Sequence, residues 1–309
     1  MAENKVQLTD EELFQFVEFD HSKSEDTGYS NYSYWKSVLV TFSKNKFAMA
    51  LLFVMIALVI FAFIANSTAR FGIEELNRTS KLAKPNGTYW FGTDTLGRDM
   101  WARSWYATTI SLKIAGLVTL ICVVIGVFIG CIWGYVRATD RFFTELYNII
   151  ANIPQTVYLI LLTYIMEQGF MTLVIAMCTT NWLGMARNVR NLVFMIRDRE
   201  YNLASRCLGT PLSRTITKNL IPYLVSVVIL RMALMIPQVI SLEVTLSYLG
   251  LGLPQDTPSL GLLLSQGRTK FQDYPHLLVF PALIVSIITV SFYLAGNAFS
   301  DASDPRNHV

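Results

Sequence analysis

Polar and apolar residues in this chain fall into long blocks rather than short alternations. Long, predominantly apolar runs occupy residues 47–65, 110–135, 145–166, 171–185, 223–249 and 277–295. A helix needs about 20 apolar residues to cross the hydrocarbon core of a bilayer. The runs therefore predict an all-α, polytopic membrane protein with six transmembrane helices. Prolines punctuate three of them. Pro154 removes one ladder N–H from the third run and predicts a bend there, Pro237 interrupts the fifth, and Pro281 lies in the last. The fourth run is short and carries Thr179, Thr180, Asn181 and Trp182, so it is expected to face protein or water rather than lipid. In the second, Gly126, Gly130 and Gly134 recur every four residues and so share one helix face. A face without side chains lets another helix approach closely, which is what drives association in lipid. The neighbour is either a helix of this chain, the favoured reading, or another transmembrane subunit.

The polar blocks between the runs set the organisation. Residues 1–46 are mixed, with acidic residues early and Lys36, Lys44 and Lys46 beside the first run. Leu13, Phe14, Phe16, Val17 and Phe19 suit a short interfacial helix, and Tyr32, Tyr34 and Trp35 resemble an aromatic belt. No signal-peptide pattern is visible, so the first run, 47–65, is expected to remain as an anchor. Residues 66–109 form a long polar loop, and a core of five spans follows over 110–297, with a second polar loop at 250–276 and a short tail at 298–309. Within the core lies a basic island at 199–222, REYNLASRCLGTPLSRTITKNLIP, with Arg199, Arg206, Arg214 and Lys218. Gly209 interrupts its helical pattern and predicts a turn. Pro222 sits where the next apolar run begins, a position at which a helix tolerates a missing N–H.

Lysine and arginine decide the orientation. With both termini in the cytoplasm, the inner segments carry 15 basic residues and the outer ones eight, six of these in the 66–109 loop. Short Lys/Arg-rich loops stay on the cytoplasmic side, so the island is assigned there. By itself such an island is either a plain connecting loop or a docking element for a cytoplasmic partner.

Composition agrees with a membrane class: 53% of residues are hydrophobic and only 15% charged, against roughly 25% charged in soluble domains. The net charge of +3 is scattered among loops, which argues against a nucleic-acid partner. Cys122, Cys131 and Cys178 lie in apolar runs and Cys207 in the island, with no metal-ligand spacing. His21, His276 and His308 sit in unrelated segments, and neither HExxH nor CxxC is present. Catalysis by this chain is not expected.

Two stretches invite a chemical reading. FGTDTLGRDMWARSWY, residues 91–106, spaces Gly92 and Gly97 as a phosphate-binding loop does. Arg98 and Asp99 follow where such a loop needs Lys and then Ser or Thr, and no strand precedes it, so nucleotide binding here is rejected. The plainer reading is a turn-rich cap in which Asp94, Arg98, Asp99 and Arg103 form ion pairs. Asn-x-Ser/Thr triplets at Asn66, Asn77 and Asn86 are too common by chance to carry weight. Arg231 is the most informative residue within a span. A charge at that depth costs from a few to more than ten kcal/mol, so Arg231 must face a partner or a water-filled path. A structural ion pair and a contact to a transported substrate both stay open. Glu243, farther along the same run, is expected near the outer surface.

Four of these stretches together resemble the C-type permease subunit of bacterial ABC importers for dipeptides and oligopeptides. GTDTLGRD, residues 92–99, is similar to the family's block before the second span. The island resembles the importer coupling motif, written EAA, three residues, Gly, nine residues, then I-x-L-P. Gly209 and Pro222 keep its spacing and Ala204 fits its middle position, but Leu203 stands for the Glu, Ser205 for the second Ala, and Asn219 for the usual Ile or His. LSYLGLGLPQDTPSLG, residues 246–261, and DASDPR, residues 301–306, also match.

The resemblance implies an importer-type ABC permease fold in the bacterial plasma membrane. This chain and a homologous second permease subunit would form the pathway, two cytoplasmic ATPase subunits would bind ATP and magnesium, and an extracellular binding protein would deliver peptides. No cofactor is expected in this chain. A coupling helix at about 199–215 would dock into an ATPase, with Ala204, Ser205, Leu208, Gly209 and Pro222 as its coupling residues and Gly209 giving the sharp turn. Arg231 is the pathway candidate, and Asp94, Arg98, Asp99, Gly250, Gly252 and Pro254 are candidates for the outer loop or gate. Related permeases import nickel or other small solutes; the scarcity of His and Cys in the pathway favours peptides. An ion-coupled secondary transporter would show an internal repeat and acidic residues in the spans, and a membrane sensor or scaffold would use the spans only as anchors.

Overall fold

The computed structural model describes residue 40 and residues 42–303. The interfacial and aromatic-belt readings of the first 39 residues, and residues 304–306 of the tail motif 301–306, lie outside the described residues. Among the described residues the chain is helical, and its nearest approach to a strand is an isolated antiparallel bridge between Thr93 and Asp99.

The long helices follow the apolar runs. We number them α1 (Lys46–Ser67), α2 (Met100–Tyr135), α3 (Arg137–Ala151), α4 (Gln155–Ile165), α5 (Phe170–Ile196), α6 (Glu200–Cys207), α7 (Leu212–Thr215), α8 (Ile221–Tyr248), α9 (Leu260–Thr269) and α10 (His276–Ser303), with a π-helical turn, Ile216–Leu220, leading into α8. Four of them, α1, α2, α8 and α10, contain spans long and apolar enough to cross a membrane, and α3 with α4 makes a fifth if that bent pair counts as one. The six expected crossings are thus not all matched by simple apolar helices. The two exceptions have physical causes. The third run is split, because Pro154 bars helical backbone at the residue before it, and the two halves meet at 82°. α5 is 27 residues long, about 40 Å at 1.5 Å per residue, but from Asn181 onward it carries Asn181, Arg187, Asn188, Arg190 and Asn191 and is too polar to qualify by composition.

Two further expectations change. Pro237 does not interrupt its helix; α8 runs through it, as membrane helices do when neighbours accommodate the freed carbonyl. α2 begins ten residues before its apolar run, so the polar loop after α1 ends at Asp99 rather than Thr109. Its 36 residues span about 54 Å, well beyond the ~30 Å hydrocarbon core.

The glycine stripe finds its neighbour within the chain. A Cβ on Gly126 would lie 2.7 Å from Met185 Cβ, one on Gly130 2.6 Å from the Ala186 carbonyl oxygen, and one on Gly134 2.8 Å from that of Arg190. All three contacts are to α5, so the stripe is the α2–α5 packing face, and the two backbones are in direct van der Waals contact along it. The core divides along these helices. One cluster gathers Ile114, Val118, Leu173, Met177, Ile240 and Leu260; a second gathers Cys131, Val189, Val193, Ile196, Leu220 and Leu224.

Candidate functional site

Three places bring the singled-out residues together, and the basic island is the first. α6 is short and polar and ends at a glycine turn. Gly209 has φ +71°. The Gly209 N–H donates to the Arg206 carbonyl (3.0 Å) and the Thr210 N–H to that of Ser205 (3.0 Å). This pair of bonds is the Schellman closure, which needs left-handed backbone at its glycine. A Cβ there would meet nothing within 4 Å, so backbone conformation alone calls for glycine.

One side of α6 is tied to the body of the chain. Asn202 is fully buried and donates to the Ile196 carbonyl (2.9 Å). Asn219, from the π-turn, donates to Asn202 Oδ1 (3.1 Å) and Ser205 Oγ (3.3 Å). Arg197, also buried, donates to the carbonyl of Gly134 (3.0 Å). The Arg206 guanidinium lies 5.2 Å from the Tyr135 ring centre and 3.8 Å from Asp198. The other side is bare and partly apolar: Tyr201, Leu203 and Leu212 are exposed, and Leu208 is 85% exposed. Ala204, Leu208 and Gly209 lie on this open side, while Ser205 is half-buried beneath. Pro222 is separate, in the first turn of α8 beyond the π-turn. Sequence reasoning missed Asn202; its signal was a polar residue between apolar neighbours in a helix too short to bury much else.

The second place is a cavity of about 920 Å³ between the α3–α4 break, α5, α8 and α10. Arg231 opens onto it, beside Gln238 of the same helix, Asn181 and Asn188 of α5, Tyr158 of α4 and Tyr293 of α10. Gln155 Nε2 donates to Asn181 Oδ1 (2.8 Å) across the wall. The expected alternatives for Arg231 therefore narrow: it takes part in none of the ion pairs formed among the described residues.

The third place is the outer cap. Asp94 and Arg98 form an ion pair at 2.7 Å, with Arg103 at 3.7 Å from the same carboxylate, and all three side chains are buried. Asp94 also accepts from the N–H groups of Leu96 and Arg98, both at 2.9 Å. Asp99 departs from expectation. Instead of an ion pair it makes the α2 N-cap, accepting from Trp101 N–H (3.3 Å) and Ala102 N–H (3.1 Å). Burial pushes its carboxyl above the ordinary value and these two bonds oppose that. Gly97, at φ +82°, is held so close that a Cβ would lie 2.0 Å from the Asn77 carbonyl oxygen.

Glu243, near the C-terminal end of α8, is buried. Its carboxylate accepts from Ser111 (3.1 Å), Ser247 (2.8 Å) and Ser259 (2.5 Å), joining α2, α8 and the start of α9. Gly250 makes the same closure as Gly209: φ is +79°, Gly250 N–H donates to Ser247 (3.0 Å) and Leu251 N–H to Leu246 (2.9 Å). A Cβ on Gly252 would meet Ser247 Oγ at 2.0 Å. Pro254 is half-buried and opens a turn closed by Thr257 N–H (3.1 Å), leaving Asp256 exposed at its tip. Of the outer candidates, then, Asp94, Arg98 and Asp99 are turned inward, and the 250–257 loop presents its tip outward.

A chain of apolar helices around a mixed cavity, with a polar element tethered on one side only, has the make-up of a membrane permease worked by a partner. Comparison with known proteins agrees. Residues 122–309 match the family of binding-protein-dependent transport system inner membrane components, and residues 33–85 match the N-terminal transmembrane domain of oligopeptide transport permease C. The chain is 40% identical to the oligopeptide transport system permease protein AmiD of Streptococcus pneumoniae, covering 97% of this chain and 98% of that one. It is 33% identical to the oligopeptide transport system permease protein OppC of Bacillus subtilis, covering 95% and 97%. With the dipeptide transport system permease protein DppC of the same organism the identity is 35%, covering 89% and 86%. The chain belongs to the family of inner membrane components of binding-protein-dependent transport systems. It is a multi-pass permease of the plasma membrane.

Proposed function

We propose that this chain is one of two homologous permease subunits of an ATP-driven importer that carries oligopeptides or dipeptides delivered by an extracellular binding protein. Two cytoplasmic ATPase subunits hold ATP and magnesium and supply the power. In this reading α1, α2, the α3–α4 pair, α5, α8 and α10 make six crossings with both termini in the cytoplasm. α6 docks into an ATPase through Ala204, Leu208 and the Gly209 turn, and the 250–257 loop faces the binding protein.

One observation carries the reading. α6 combines a rigid glycine-closed end, a buried tether through Asn202 and an uncovered apolar face with Leu208 at 85% exposure. Transmission between sites requires an element whose position both sides bias, and a short helix anchored on one side and open on the other fits that need. The peptide cargo is supported by the relatives, which are named for oligopeptide and dipeptide transport. Import of nickel is less well served, since the cavity wall offers amides, hydroxyls and one guanidinium rather than imidazole or thiolate. The test is copurification of the chain with an ATPase pair and peptide uptake that stops when ATP hydrolysis is blocked. Uptake that continues without ATP, driven by an ion gradient, would replace this reading with a secondary transporter.

A further inference from the structure

We infer that Arg231 is a way-station for a carboxylate of the transported peptide, most directly its C-terminus. The inference rests on the pathway reading and assigns a ligand chemistry to it. Among the described residues, Arg231 is the sole permanently charged side chain lining the 920 Å³ cavity, and no Asp or Glu lines it. The side chain is exposed to that space and joins none of the ion pairs among the described residues. A guanidinium held among apolar spans needs an anion or water against it. The nearest acid on its own helix is Glu243, twelve residues on, which is about 18 Å along the axis and already occupied by three serine hydroxyls.

The rest of the wall suits the backbone of a peptide rather than any one side chain. Gln238, Asn181 and Asn188 offer amides that both donate and accept, and Asn181 Nδ2 is buried without a partner. A planar fork of donors matches a carboxylate in two parallel bonds. One such contact without a second charge to close around the peptide holds the anion weakly enough to release it, as conduction requires. The absence of an acid from the wall means that the peptide's ammonium end is not held in the same way, so the contact is polar in direction.

The experiment uses the complete transporter, with both permeases, the ATPases and the binding protein, reconstituted in vesicles. Uptake of a neutral peptide is compared with uptake of its C-terminal amide, for wild type, Arg231→Lys, Arg231→Gln and Arg231→Met. The binding protein is common to all, so its own preference cancels in the comparison. The expected result is that Arg231→Met lowers uptake of the acid by about ten- to hundredfold while the amide changes little, and that Arg231→Lys keeps much of the difference. Arg231→Gln carries the comparison if Arg231→Met does not assemble. A third substrate, the amide bearing one Glu side chain, assigns the source: dependence on Arg231 means that any carboxylate serves, and independence means that the C-terminus is read. Equal loss of acid and amide in an assembled complex, or no loss of either, overturns the inference. The pathway reading is tested apart from it, by Arg231→Cys. If a thiol reagent blocks uptake in that variant but not in wild type, and substrate peptide protects, the pathway stands whatever the acid-to-amide ratio.

Discussion

Gly209 and Gly250 close two turns by the same pair of backbone bonds, and a Cβ on either would meet nothing within 4 Å, yet the segments around them differ. After Gly250 the chain folds back on its own helix: Gly252 lies against Ser247, Gly261 against Glu243, and three serines converge on one buried carboxylate. The side chain before Gly209, Leu208, is 85% exposed, against 54% for Leu249 before Gly250. The backbone device is identical; what differs is whether the chain supplies the rest of the contact. The turn at Gly250 is complete within this subunit, and the one at Gly209 leaves an apolar face uncovered among the described residues. Substitutions at the Gly250 turn should therefore act on stability, and those at the Gly209 turn on assembly and transport.

The largest effect is expected at Glu243. Replacing it by Leu leaves the hydroxyls of Ser111, Ser247 and Ser259 without their shared acceptor, and losing the hub of a buried network costs about 3–5 kcal/mol. Glu243→Gln keeps one carbonyl oxygen and should cost less. Thermal unfolding of the purified subunit in detergent measures both. Equal stability of Glu243→Leu and wild type would remove the network from the account of the outer cap. Gly252→Ala comes next. Its Cβ would fall 2.0 Å from Ser247 Oγ and 2.6 Å from Ser247 Cα, and backbone cannot yield as a side chain can. The expected loss is about 1–3 kcal/mol, read in the same unfolding measurement.

How far these features can be read from sequence follows the range of the interaction. Gly209 and the Pro154 break were legible because each acts on its own backbone. The stripe of Gly126, Gly130 and Gly134 was legible as a close-packing face because its period is local, though not which helix fills it. Pro237 misled for a related reason: the rule that proline ends a helix assumes water as the alternative, and inside a bundle the helix continues. The Asp94, Arg98, Asp99 and Arg103 group was visible as charge, but geometry alone separates an ion pair from an N-cap. Glu243 and Asn202 were beyond reach. The serines that satisfy Glu243 lie up to 132 residues away, and Asn202 meets Asn219 across 17 residues and a glycine turn. Of the island's three departures from the coupling motif, at Leu203, Ser205 and Asn219, the last two meet each other (3.3 Å).

That pairing gives a smaller prediction on the inner side. Asn219→Ala removes the donor to Asn202 Oδ1 and Ser205 Oγ and leaves a buried amide half satisfied, a loss of about 1–3 kcal/mol. Because the tether holds α6, uptake should fall further than stability does. A matched fall in both would mean that Asn219 only supports the fold. Gly209→Val and Gly209→Asn divide the same question by backbone. Left-handed conformation costs an ordinary residue about 1–2 kcal/mol, most for a β-branched one and least for Asn. With nothing within 4 Å of the added Cβ, the steric share is absent. Gly209→Val should insert normally and lose uptake, and Gly209→Asn should retain most of it.

The smallest effect on the chain itself is expected at Leu208, and it sharpens the comparison most. Exposed at 85%, Leu208 contributes almost no burial to this subunit, so Leu208→Ser should leave unfolding within about 0.5 kcal/mol of wild type, as surface changes do. If its cover is an ATPase subunit, the leucine is fully desolvated only in the complex, where burial is worth about 1.5–3 kcal/mol. Leu208→Ser should then weaken copurification of the ATPase by about ten- to hundredfold while the detergent-purified subunit melts as before. Unchanged ATPase capture would mean that the open face of α6 meets lipid or water instead, and the contrast between the two glycine turns would reduce to one of exposure alone.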